Sequence, residues 1–177
     1  MSAKKVLMVL APLNFRDKEY KKPRKVLEDA GYRIYVTSPG FMGAKSVMGL
    51  DVSVDIAPSE VDVLDYDAVI FVSGPGISRY FKDPELLKIA KEATKFGLVV
   101  GAICISPVIL ANAGVLKGKK VTAWSSSNDF TFLNKMRTAG ANVRALDHVV
   151  ADGKLITATG PDYAQEFGEK ILEVLTK

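Results

Sequence analysis

One cysteine and one histidine limit the reaction chemistry that this chain can perform. Among 177 residues, Cys104 is the only thiol and His148 is the only imidazole. These counts exclude an intramolecular disulfide, a multi-cysteine cluster and a metal site with two or three histidines. A metal held by carboxylates alone stays formally open, yet we predict no metal and no cofactor. A nucleophilic or redox-active thiol is the first chemistry to consider.

Cys104 stands at a favourable point of the sequence for such chemistry. The apolar run 98–103 precedes it, and Ser106 and Pro107 follow with residue types that open helices. This strand–cysteine–helix layout is that of a nucleophile elbow, although the usual flanking glycines are incomplete. Backbone N–H groups at a helix start favour a thiolate and an adjacent oxyanion. A lone cysteine can equally be an unreactive buried hydrophobe, and both interpretations stay open.

The elements that must position Cys104 follow from hydrophobic patterning along the chain. Apolar runs are continuous and alternate with stretches of helical period, which is typical of parallel strands covered on both faces. We predict a single domain over residues 1–177, a flavodoxin-like three-layer α/β/α sandwich with a mostly parallel central sheet. Ligands in such folds bind at the carboxyl ends of strands. Predicted strands cover 5–10, 32–37, 68–72, 98–102, 120–123, 143–144, 149–150 and 155–158.

Helices are predicted between these strands. The first ends at Ala30 and Gly31, and a second begins at Asp83 and Pro84, where aspartate caps and proline takes the first helical position. Later helices are expected after Ser106, near 130–139 and at the C-terminal end of the chain. Residues 47–48 and 52–55 are expected to form a small hairpin or an extension of the sheet edge.

The excess of basic residues and one long uncharged segment suggest functions that the arrangement of the residues does not favour. The 24 basic residues exceed the 20 acidic ones, but they lie in small groups between acids, so we expect no nucleic-acid partner. Residues 96–116 carry no charge, but glycine and proline divide them into a strand and a short helix, so we expect no membrane span. The N-terminal residues lack a signal-peptide pattern, and one cysteine suits a reducing compartment, which predicts a cytoplasmic location.

Several segments, in order along the chain, resemble the ThiJ/PfpI superfamily, which shares the class I glutamine amidotransferase-like fold. Residues 102–107, Ala-Ile-Cys-Ile-Ser-Pro, are similar to the cysteine elbow of that family. Residues 15–19 resemble its acidic turn, in which a glutamate precedes a proline by four residues, as Glu19 precedes Pro23 here. Residues 66–74 are similar to its strand ending in Pro-Gly-Gly, and 149–161 to its last hairpin.

The resemblance implies roles for individual residues. Cys104 would be the nucleophile, and Glu19 would be the glutamate whose protonated carboxyl donates a hydrogen bond to the sulfur, stabilising a thiolate or a sulfinate. Gly74 and Ile105 would supply backbone N–H groups to an oxyanion. Without the resemblance, Glu19 is a solvated helix-start acid and residues 73–76 are a tight turn. The residues expected to line the pocket are Trp124, Ser125 and Thr159.

The chain departs from the family where protons must be transferred. Ile105 and Trp124 stand at positions where members with protease or glyoxalase/deglycase chemistry carry histidine, and neither can move a proton. The resemblance places His148 at the start of a hairpin strand, remote from the elbow. Arg16 replaces an acidic residue of the N-terminal turn, and Thr159 stands where some members carry an arginine.

Three functions are consistent with these features. The one we favour is a redox- or electrophile-responsive protein of stress protection, whose Cys104 becomes sulfenic or sulfinic acid. The alternative is a cysteine-dependent hydrolase or lyase, glyoxalase- or deglycase-like, that acts on small carbonyl compounds; a PfpI-type protease is not expected without the histidine. A second alternative is a non-catalytic dimeric scaffold. Because the family usually forms homodimers, a homodimer is expected here, with a small electrophile or carbonyl compound as ligand.

Overall fold

A computed structural model describes residues 4–40 and 42–177 of the chain. Its centre is a six-stranded sheet in which all neighbouring strands are parallel except the last hairpin. The predicted α/β class with a mostly parallel sheet is confirmed. With elements numbered along the chain, the spatial order is β10 (Val149–Asp152), β11 (Leu155–Ala158), β7 (Val99–Ile103), β6 (Ala68–Phe71), β1 (Lys5–Val9) and β3 (Arg33–Thr37).

The central strands send alternate side chains into two apolar cores. Leu7 pairs in register with Val69, and both contribute to one core, whereas the next pair, Met8 and Ile70, contributes to the other. All four residues are fully buried. A strand buried on both sides needs apolar residues at every position, which explains the continuous hydrophobic runs of the sequence.

Helices cover both faces of this sheet. The core that contains Met8 is closed by the first and last helices, which pack so closely that a Cβ on Gly168 would lie 2.7 Å from Pro23 Cα. On the other face, Asp83 caps the second helix by accepting a hydrogen bond from Leu86 N–H at 3.1 Å. The described helices are α1 (Asp17–Asp29), α2 (Pro84–Lys95), α3 (Pro107–Asn112), α4 (Thr131–Thr138) and α5 (Ala164–Leu175).

The small hairpin differs from its predicted position. Its strands are β4 (Ala44–Ser46) and β5 (Asp51–Val52), and residues 47–48 form the turn between them instead of a strand. Ser46 explains the difference, because its Oγ accepts a hydrogen bond from Leu50 N–H at 2.9 Å and closes the turn.

Two further pairings complete the described strands. β2 (Leu13–Phe15) runs parallel to β4 and falls outside the predicted strands, since it is three residues long and two of them are exposed. β8 (Lys120–Val121) pairs in parallel with β9 (Asn142–Val143). The remaining predicted strands lie within two residues of the observed ends. Among the described residues, no helix has the length and apolar content that crossing a membrane requires.

A turn after β6 holds β2 close to the main sheet. Gly74 and Gly76 lie in this turn, and a Cβ on Gly74 would be 2.3 Å from Asn14 O. A Cβ on Gly76 would be 1.8 Å from Leu13 O, which is a backbone atom and cannot move aside alone. The backbone of Arg16 adds a hydrogen bond, N–H to Ser73 O, at 2.8 Å. The glycines therefore allow the chain segment leading into α1 to lie against the end of β6.

Replacement of Gly76 by alanine is expected to lower the free energy of unfolding by about 3 kcal/mol, because the new Cβ overlaps the backbone of β2. Gly118→Ala is the matched control. Gly118 has a φ of +75° but open space around its Cβ, so alanine there should cost only the backbone strain, about 1 kcal/mol. Urea denaturation measures the free energy of unfolding of both variants. Equal losses in the two would contradict the close approach of β2 to Gly76.

Candidate functional site

Cys104 follows β7 directly and has a constrained backbone. Its φ is +61°, in the left-handed region that costs a non-glycine residue about 1–2 kcal/mol. Hydrogen bonds hold it there: Cys104 N–H donates to Ala158 O at 2.8 Å, and Cys104 C=O accepts from Trp124 N–H at 2.9 Å. The sharp turn at the end of a buried strand is the expected elbow geometry, with the Cys104 side chain only 5% exposed.

The residues around Cys104 tie the elbow to the neighbouring strand. Ser106 does not cap α3 with its side chain; its hydroxyl donates to Val72 O at 3.0 Å. Ile105 N–H donates to Ser73 Oγ at 3.3 Å, and both the Ser73 hydroxyl and the Ile105 N–H act on the Cys104 sulfur. Ser73 is a site residue that the sequence analysis treated only as part of a turn. Its position directly after β6, beside β7, is the signal that identifies it.

Glu19 lies in the first turn of α1, fully buried. Its interpretation as a solvated helix-start acid is therefore wrong. Neither carboxyl oxygen makes a hydrogen bond in this conformation, although the Cys104 thiol and the Ser73 backbone are its polar neighbours. Burial raises the pKa of Glu19 to about 7, against the opposing effects of the Arg16 guanidinium, the thiol and that backbone. Near neutral pH the carboxyl therefore exists in both protonation states.

The Cys104 thiol is less acidic than a helix start alone predicts. Burial raises its pKa to about 12, and the neighbouring Glu19 charge adds to the increase. The Ser73 hydroxyl, Arg16 and the Ile105 N–H act in the opposite direction but do not compensate. Cys104 is consequently a thiol at neutral pH.

A cavity of about 370 Å³ opens beside Cys104. Trp124, Ser125 and Thr159, the three residues expected at a pocket, line it together with Cys104. Trp124 is half-buried and packs edge-on against Phe132, with ring centroids 6.0 Å apart, so it forms a wall. Cys104, which is 5% exposed, therefore borders this cavity.

His148 lies in a different place from the one expected. The resemblance placed it remote from the elbow, but it lines the same cavity as Cys104. The reason is the antiparallel β10–β11 hairpin, because β10 begins beside the end of β11, at the edge of the sheet where the elbow lies. The exposed His148 ring stacks on Tyr163 with centroids 3.9 Å apart, and His148 C=O accepts from Thr159 N–H at 2.9 Å.

The backbone N–H groups of Gly74 and Ile105, which are expected to bind an oxyanion, lie in different surroundings. Ile105 N–H is directed to the Ser73 hydroxyl and the Cys104 sulfur, whereas Gly74 packs against residues 14–16. Neither residue lines the cavity. Their expected role as donors to an oxyanion stays a prediction. Within residues 4–40 and 42–177, no group of three or more histidine, cysteine or carboxylate side chains could hold a metal ion.

The family model of the DJ-1/PfpI family matches residues 4–174, and the chain belongs to this family. It is 38% identical to an uncharacterised protein of Methanocaldococcus jannaschii, over 100% of this chain and 85% of that protein. It is 30% identical to the glutathione-independent glyoxalase DJR-1.2 of Caenorhabditis elegans, over 97% of this chain and 89% of the other.

Two further similarities concern a stress protein and a solved structure. The chain is 30% identical to general stress protein 18 of Bacillus subtilis, over 98% of this chain and 99% of that protein. The crystal structure of a ThiJ/PfpI domain protein from Brachyspira murdochii superposes with a TM-score of 0.92 and 31% identity, covering 99% and 98% of the two chains. The flavodoxin-like fold expected from the sequence is thereby confirmed.

The burial of Glu19 should make stability depend on pH. An unfolded chain loses the Glu19 proton near pH 4.5 and the folded protein near 7, so the folded state binds more protons between these values. Stability therefore falls as pH rises through this window, by on the order of 3 kcal/mol from this one group. Glu19→Gln should remove that loss and be more stable than the wild type at pH 8.

Urea denaturation at pH 5 and pH 8, followed by the fluorescence of Trp124, measures the difference. Glu166→Gln is the control, because it removes an exposed carboxyl from α5. Its free energy of unfolding should depend on pH as that of the wild type does. If Glu19→Gln also retained it, Glu19 would titrate like a solvated acid.

Proposed function

We propose that Cys104 and Glu19 form a redox- or electrophile-responsive site that serves in stress protection. The observation that carries the proposal is the fully buried carboxyl of Glu19 beside the only thiol of the chain. When it is ionised, a buried carboxyl can accept the thiol proton. When it is protonated, it can donate a hydrogen bond to an oxidised sulfur. The similarity to general stress protein 18 of Bacillus subtilis supports a stress role.

The reaction with a peroxide follows from these two groups. The ionised form of Glu19 accepts the thiol proton, and the Cys104 sulfur attacks one peroxide oxygen. With hydrogen peroxide, the O–O bond breaks, the leaving hydroxide takes the proton held by Glu19 and becomes water, and Cys104 becomes a sulfenic acid. A second peroxide converts it in the same way to the sulfinic acid, with a second water released. The sulfinate is an anion, and protonated Glu19 can donate a hydrogen bond to it.

Oxidation at Cys104 can be measured by mass spectrometry of peptides after mild peroxide treatment. The wild type should gain two oxygen atoms on the Cys104 peptide, since protonated Glu19 stabilises the sulfinate. Peptide assignment is necessary because the five methionines can also gain oxygen.

Two substitutions separate the roles of Glu19 in this reaction. Glu19→Gln retains an N–H donor but no base, so it should oxidise slowly and still accumulate sulfinate. Glu19→Leu lacks both and should accumulate less sulfinate at equal extents of oxidation. Absence of oxygen on Cys104 in the wild type would refute the redox proposal, and unchanged behaviour of both variants would exclude Glu19 from it.

A glyoxalase- or deglycase-like enzyme is the second candidate, and the position of His148 favours it. A histidine on the rim of the Cys104 cavity can move protons without standing at the usual family positions. The glyoxalase of Caenorhabditis elegans is similar over nearly the whole chain.

Methylglyoxal distinguishes the two candidates. Catalytic turnover that falls about 10²-fold or more in His148→Gln would support the enzyme, since general acid–base catalysis is worth about that much. Modification of one Cys104 per chain without turnover would support the responsive protein. Turnover that survives Cys104→Ser would contradict both.

Other expectations from the sequence remain predictions. The homodimer and the cytoplasmic location are not tested by the geometry of the cavity. If Cys104 reacted with neither peroxide nor carbonyl compounds, the non-catalytic scaffold would be the better account.

A further inference from the structure

Arg16 is an unpaired cation at the Cys104 cavity. It lines the cavity with Cys104, and in the described part of the chain no carboxylate lies within 4.0 Å of its guanidinium. The charge reaches the reactive pair, because Arg16 lowers the pKa of both Glu19 and Cys104 against the larger effect of burial. An arginine with free donors beside a nucleophile is available to a ligand.

The acidic group on the cavity wall does not neutralise Arg16. Asp162 lines the same cavity, but its carboxylate is highly exposed and lies 3.9 Å from Lys18 Nζ. Glu19 is buried, and its charge interaction with Arg16 is outweighed by the effect of burial on the Glu19 pKa. Asp162 forms its ion pair with Lys18, and in the described part of the chain no ion pair joins it to Arg16.

The backbone fixes the position of Arg16 at the cavity. Arg16 is the residue directly before α1, with an extended backbone, and its N–H donates to Ser73 O at 2.8 Å. Glu19 follows three residues later, in the first turn of α1, and is buried in the core. One segment therefore places a free cation at the cavity and an unpartnered carboxyl beneath it.

We propose that the cavity selects small anionic electrophiles, in which a carboxylate binds the Arg16 guanidinium while the electrophilic carbon contacts the Cys104 sulfur. Small oxo acids with an aldehyde or ketone group are the natural class of ligand. The inference rests on the proposed function, since it requires Cys104 to react. The cavity, at about 370 Å³, is at the small end of ligand pockets, and Ser125 and Thr159 add hydroxyl groups to its wall.

The covalent step with an oxo acid is an addition and needs no other reactant. The Cys104 sulfur forms a bond to the carbonyl carbon as Glu19 accepts the thiol proton, and the C=O bond becomes a C–O single bond. The proton is then returned to that oxygen, which gives a hemithioacetal. No atom leaves, no group is oxidised or reduced, and the step is reversible.

The charge preference can be tested with iodoacetate and iodoacetamide, which differ mainly in charge. Each forms a sulfur–carbon bond as iodide leaves, with the thiol proton lost to Glu19 or water, and Cys104 is the only cysteine that can report it. The measured quantity is the rate with iodoacetate divided by the rate with iodoacetamide. Arg16→Gln should lower this ratio by about three- to tenfold, the effect of one charge at contact distance in a partly screened site.

Three controls make the result specific to Arg16. Arg16→Lys keeps the charge and should retain most of the ratio. Lys22→Gln removes the same charge from an exposed position of α1 that does not line the cavity, and should leave the ratio unchanged. In the wild type, 1 M NaCl should lower the ratio, because salt screens the attraction.

The outcomes separate this inference from the proposed function. If both reagents modify Cys104 and Arg16→Gln leaves their ratio unchanged, the anion preference is refuted and the reactive cysteine stands. An equal fall of the two rates in Arg16→Gln would refute it as well, since that would show a general effect on the thiol. If neither reagent modifies Cys104 in the folded wild type, the reactive-cysteine proposal and the inference fail together.

Discussion

The site depends on one costly contact, the burial of the Glu19 carboxyl beside the Cys104 thiol. Neither group is well solvated there, so the pKa of each is raised, and the Glu19 charge raises the pKa of Cys104 further. The surrounding fold is built to bring them together. Cys104 stands at the end of a central strand, while Gly74 and Gly76 let the segment leading to Glu19 lie against the next strand.

This contact also explains how a chain with one histidine can support thiol chemistry. A carboxyl that titrates near neutral pH can accept the thiol proton in one form and donate to an oxidised sulfur in the other. Arg16 and His148 then act from the cavity wall, outside the buried pair. Arg16 lowers the pKa of both buried groups and has free donors for a ligand.

Much of this arrangement could be predicted from the sequence, where the signals are local. Continuous apolar runs identify the central strands, and the apolar run before Cys104 with Ser106 after it identifies the elbow. Three features could not be predicted, because they depend on distant parts of the chain. β2 is too short for a pattern, the antiparallel β10 returns His148 to the cavity, and burial reverses the expected shift in the pKa of Cys104.

The central claim is that Glu19 is a buried acid which keeps its proton to near neutral pH. Infrared difference spectra of the wild type minus Glu19→Gln, recorded between pH 4 and pH 9, measure that proton directly through the C=O stretch of the protonated carboxyl. The structure predicts a band that persists at pH 6 and titrates with a midpoint near 7. A midpoint near 4.5, the ordinary value for glutamate, would contradict the account.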